Sequence, residues 1–174
     1  GKVFSVLSVF ISIIGVIFAL HILLLLLQYT IAAVLTKRNP FKLLATMMPA
    51  YFTALGTQSS AATIPVTLEQ TLKNGVSEKI AGFVIPLCAT IHLSGSIMKI
   101  TACAMALMIL EGRPIDFTLF VGFIFMLGIT MVAAPGVPGG AIMAAVGILQ
   151  TMLGFNEEMI GLMIALYIAM DSFG

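Results

Sequence analysis

Charge is scarce in this sequence of 174 residues. Eight Lys and Arg and seven Asp and Glu make up nine per cent of the chain, against roughly a quarter in soluble proteins. A net charge of +1 and no basic stripe leave nothing to neutralise a phosphate backbone, which excludes nucleic acid as a partner. Cysteine is scarce too. Cys88 and Cys103 are predicted to share one helix, about 22 Å apart at 1.5 Å per residue, too far for a disulfide. Cys88 stands four residues before His92, but two ligands do not close a zinc site. Neither a G-x-S-x-G motif nor paired aspartates occur, so nucleophile and base lack a recognisable arrangement and no enzymatic activity is expected.

What the chain has is apolar surface. Sixty per cent of it is apolar and the mean hydropathy is +1.17, the composition of an integral membrane protein. The run from Val3 to Thr36 holds no charged residue and exceeds the roughly 20 residues a spanning helix needs. It is too long for a signal-peptide core. A start at Gly1 and an end at "MDSFG" read as a segment of something longer.

The few charges also orient the chain. Lys37, Arg38, Lys42, Lys73 and Lys79 form two basic clusters, predicted cytoplasmic. "EGRPID" and "FNEE" carry one basic residue between them and are predicted outside. The segments between, Phe41 to Leu72 and Phe117 to Leu153, must then each begin and end on one side, as re-entrant hairpins. Each has breakers near its middle, "GTQSSAATIP" and "AAPGVPGG". Non-helical backbone is tolerated at membrane depth only where protein or a water-filled cavity surrounds it, so these tips are predicted to line a site. The expected fold is an all-α membrane protein: a long transmembrane helix over 1–38, hairpin 1 over 39–75, a transmembrane helix over 76–110 broken at "HLSGS", hairpin 2 over 117–153, and the start of a last helix over 156–174. Hairpin and helix recur in inverted order, the signature of a secondary transporter.

Four runs carry a family resemblance: "SSAATIPVT", "PLCATIHLSGS", "GVPGGAIM" and "AMDSFG". With them, from about Phe41 to Asp171, the chain resembles the C-terminal half of the dicarboxylate/amino acid:cation symporters, the glutamate transporter homologues. The resemblance implies a transport domain, here incomplete, moving like an elevator against a homotrimeric scaffold in a lipid bilayer. It also implies a multi-pass protein of a cell membrane, of the bacterial inner-membrane kind. The resemblance further implies an amino acid as substrate and no cofactor beyond coupled Na+ or H+. A channel or a purely structural membrane subunit is the competing class, separated from a transporter by saturable exchange of labelled substrate.

Site residues follow from the same match. Gln58, Ser59, Ser60 and Thr63 on the first tip, Ser96, and Val137, Pro138 and Gly139 on the second tip are expected to hold substrate, with Ser60 the main carboxylate contact. Hydroxyls here also serve as plain helix caps. Pro135, Gly136, Gly139 and Gly140 are expected to form the gate, against a reading as a mere turn. Asp171 lies inside an apolar segment, where an unpaired charge costs about 2.5–3.5 kcal/mol. It is expected to hold the substrate's ammonium, or else to form a structural ion pair with Lys99. Cys88, Thr90, His92, Ser94, Lys99, Met131 and Ala133 are the expected cation-coupling residues. His21 is assigned no role.

Two departures from the family bear on substrate and ion. Glutamate-selective members carry an arginine three residues after the aspartate, where this chain has Gly174, and Gln58 stands where some relatives have an alternative arginine. A neutral, zwitterionic amino acid is therefore expected in preference to an acidic one, with a dicarboxylate or acidic amino acid as the alternative. The family's N-M-D-G-T is here His92, Leu93, Ser94, Gly95 and Ser96, which loses a carboxylate that would compensate a bound sodium. Fewer coupled sodium ions are expected, with Lys99 standing in for one or with His92, an imidazole able to exchange protons near neutral pH, carrying a proton. The plain alternatives are that Lys99 snorkels to an interface and that His92 bonds a carbonyl.

Overall fold

A computed structural model describes residues 2–171. Helix α1, Lys2–Thr36, runs through the charge-free stretch, in which neither glycine pair nor proline interrupts the ladder. It ends where Lys37 turns left-handed, at φ 55°. Asn39 caps α2, Pro40–Thr57, by accepting from the Phe41 and Lys42 amides, and Pro40 takes the first helical position, where its missing N–H costs nothing. Gln58 then adopts φ 52° and reverses the chain into α3, Ser60–Lys73. Helix α4, Glu78–Ile91, opens with an acid at its positive end. After a break at 92–93 comes α5, Ser94–Leu110. Asp116 caps α6, Phe117–Met131; α7, Gly140–Leu153, ends at a left-handed Gly154; Asn156 caps α8, Glu157–Ala169.

The core lies among α5, α6, α7 and α8. Ile100, Leu107, Phe123, Leu127, Ile142, Leu149 and Met163 are buried there, and Ile17 of α1 packs against them. Helices α2, α3 and α4 sit to one side and keep large apolar side chains outward, among them Phe41, Phe52, Ile80 and Phe83. Phe117 and Phe125 do the same on α6. Two stretches, Ile11–Thr36 and Glu78–Leu110, are long and apolar enough to cross a bilayer.

Helices α2 and α3 pack on each other, as do α6 and α7, and one arginine ties the open end of each pair. Arg38, just before α2, donates to the carbonyl of Asn74, just after α3. Asn74 in turn donates through its amide to Leu43 O at 3.0 Å. Arg113, just before α6, donates to the carbonyl of Leu153 at the end of α7 and lies 5.8 Å from the Phe155 ring centroid. Each pair therefore has its base held shut and its tip directed away from that base.

Two expectations need correcting here. Cys88 and Cys103 do not share a helix: they lie on α4 and α5, both as free thiols. The first breaker run is also mostly helical. Only Gln58 and Ser59 lie outside α2 and α3, while Pro65, the sixth residue of α3, is taken into the helix at the loss of one helical hydrogen bond, the one to the Ala61 carbonyl.

Candidate functional site

Three helix ends converge on a cavity of about 360 Å3: the start of α3, the α4–α5 break and the loop before α7. Ser59 is the N-cap of α3; its Oγ accepts from the Ala62 amide at 3.2 Å and donates to Gly136 O at 2.6 Å. The Ala61 amide also donates to Gly136 O, at 3.3 Å. The positive end of α3 thus already holds one oxygen, a carbonyl lent by the second tip. Gly136 sits so close that a Cβ there would lie 3.3 Å from Ala61 N and 3.4 Å from Ala89 O.

Asp171 follows α8 and closes the other side. Its Oδ2 accepts from the Gly139 amide at 2.7 Å, the first free donor at the start of α7. Its Oδ1 lies 3.7 Å from Lys99 Nζ. Lys99 is 0% exposed, so it does not snorkel. Its ammonium donates to Met170 O at 3.0 Å and lies 4.2 Å from the Tyr167 ring centroid. The ion pair with Asp171 is formed.

Of the expected substrate residues, Gln58, Ser59, Ser60, Thr63, Ser96, Val137 and Asp171 line the cavity, and Pro138 and Gly139 do not. Ser60 opens α3 as an exposed residue, while Thr63 is buried and bonds Ser59 O at 2.7 Å and Thr57 Oγ1 at 3.1 Å. Of the expected gate residues, Pro135 and Gly136 line the cavity, and Gly139 and Gly140 are buried. The expected cation-coupling residues are spread over α4, the α4–α5 break, α5, α6 and the loop after α6. Cys88 and His92 face the cavity, Thr90 bonds Leu87 O of its own helix, Met131 is buried in the core and Ala133 is exposed. Among the described residues the His92 ring bonds no carbonyl: Nε2 is 3.2 Å from Gln28 Nε2 and 3.4 Å from Ser94 Oγ. Gly174 lies outside the described residues.

Three residues were missed. Gln28 reaches from α1 to His92 and Ser94 across the α4–α5 break, and the lone amide late in an uncharged run was its signal. Tyr167 bonds Ser96 Oγ at 2.8 Å near the end of α8 and carries its ring to within 4.2 Å of the Lys99 ammonium. Thr57 holds Thr63. Ser96 and Lys99 have Ser-x-x-Lys spacing, an arrangement the sequence reading passed over. The hydroxyl is engaged by Tyr167 and the ammonium by Met170, so the two are not paired as nucleophile and base.

The family model described as "Sodium:dicarboxylate symporter family" matches residues 1–174. The chain belongs to that family. Over 118 residues, 67% of this chain, it is 30% identical to the mouse neutral amino acid transporter B(0). Over 135 residues, 76% of the chain, it is 33% identical to human excitatory amino acid transporter 2, and over 144 residues, 80%, it is 33% identical to mouse excitatory amino acid transporter 5. The chain spans between 21% and 25% of the length of these symporter-family relatives.

Proposed function

We propose that this chain forms the substrate-holding part of a secondary active symporter for a neutral, zwitterionic amino acid. It is driven by a cation gradient and works by elevator movement against a homotrimeric scaffold. The paired helices support re-entrant hairpins. Helices α2, α3, α6 and α7 have 18, 14, 15 and 14 residues, which at 1.5 Å each reach only about 21–27 Å, short of a hydrocarbon core of roughly 30 Å. Their bases are tied by Arg38 and Arg113, so both tips end at depth. Helix α8, with 13 residues, reaches about 20 Å at the same rise, and Asp171 follows its end.

The observation that carries the substrate reading is the pairing of subsites across one cavity. The positive end of α3, with the exposed Ser60, offers a place to a carboxylate where the Gly136 carbonyl now sits, and Asp171 offers a counter-charge to an ammonium. Among the described residues no arginine lines the cavity, so an acidic side chain lacks a bidentate partner. The test is competition uptake by the full-length protein in proteoliposomes. Alanine and serine are expected to compete for entry, and aspartate to compete poorly. Tight aspartate transport with alanine and serine inert overturns the reading.

A dicarboxylate is the second reading, favoured by the engagement of Asp171 with Lys99. Succinate outcompeting alanine selects it.

A further inference from the structure

We propose that Lys99 is a tethered cation: its ammonium fills an oxygen-lined position at the end of α8 that an exchangeable sodium ion would otherwise take, so one cation-binding step is built into the chain. The inference rests on reading the chain as part of a cation-driven symporter.

The last carbonyls of a helix lack intrahelical partners and mark its negative end. At the end of α8 the Met170 carbonyl lies 3.0 Å from Lys99 Nζ, the Asp171 carbonyl 3.5 Å and the Asp171 carboxylate 3.7 Å. The Tyr167 ring face closes the shell at 4.2 Å. Three oxygens of negative character and an aromatic face are the surroundings of a small cation, and they converge on a point that the lysine leaves no room to share. A side chain that is 0% exposed does not exchange with solvent as a free ion does. Sodium therefore does not fit here while Lys99 is present.

The position has a consequence for the gate. Asp171 spends one oxygen toward Lys99 and the other on the Gly139 amide at 2.7 Å. The charge that steadies the carboxylate thus steadies the second tip, and it is present in every state of the cycle. With an exchangeable ion in this place, tip closure would wait for ion binding. Here closure at this contact needs no ion.

The test compares the full-length wild type with Lys99→Gln and Lys99→Met, in sodium chloride against potassium chloride. Two substrate-free readouts are thermal unfolding and the distance between spin labels on the two tips. The expected result is that both variants acquire a sodium dependence which the wild type lacks at this site. The Hill slope of stabilisation rises by about one ion, and tip closure in potassium is lost and returns in sodium by roughly ten-fold or more in population. A variant too unstable to purify in potassium but recovered in sodium supports the proposal equally. Equal sodium slopes in wild type and variants, or instability that sodium does not relieve, overturn the proposal. Uptake of labelled L-alanine by the wild type is read separately. If it fails while the sodium slopes differ as expected, the amino acid reading falls and the tethered cation stands.

Discussion

Ser59 and Ser60 are neighbours on the first tip with different surroundings. Ser59 caps α3 and bridges to Gly136, whereas Ser60 is exposed toward the cavity. Ser59→Ala is expected to cost about 1 kcal/mol through the lost cap and to loosen the second tip from the first. Ser60→Ala is expected to leave thermal stability unchanged and to weaken substrate binding. Unfolding scans beside binding isotherms of the full-length protein separate the two. Equal stability losses in both variants contradict this division. The distinction was not available from "SSAATIP", since either hydroxyl suits an N-cap. Only the left-handed Gln58 decides which serine precedes the helix and which begins it.

At the scale of elements, the second tip is built to close against backbone. A Cβ at Gly140 would collide with the Pro135 carbonyl, and backbone cannot step aside as a flexible side chain does. Gly140→Ala is therefore expected to force the 135–139 loop out of its contact with Ser59 and Asp171. Spin-label distances between the tips should then be broad and long even at saturating substrate. A narrow, short distribution like that of the wild type rules this out. Much of this level was legible in advance. Scarce charges and clustered glycine and proline stand where helices end, because a missing donor or a free φ acts locally. What was not legible is tertiary: Gly136 O on the start of α3, Gln28 on His92, and Lys99 under Tyr167 join residues far apart in sequence. Lys99 itself was weighed as a snorkelling side chain, and only its complete burial against the end of α8 decides otherwise.

At the scale of the whole molecule, the two arginine-tied bases define the orientation. Arg38 joins the loop before α2 to the turn after α3, in the company of Lys37, Lys42, Lys73 and Lys79. Arg113 joins the loop before α6 to the end of α7, with Glu111, Asp116, Glu157 and Glu158 nearby in sequence. Short loops rich in Lys and Arg stay cytoplasmic, so we propose the first base inside and the second outside, with each hairpin entering and leaving by its own side. In a full-length protein whose native cysteines are replaced, Lys79→Cys is expected to react with a membrane-impermeant thiol reagent only from the cytoplasmic face. Glu157→Cys should react only from outside. Asn39→Cys should share the side of Lys79→Cys, because both ends of α2–α3 belong to one base. Labelling of Asn39→Cys and Lys79→Cys from opposite faces would mean that the α2–α3 pair spans an odd number of times. The re-entrant arrangement, and with it the placing of both tips at one depth, would then fall.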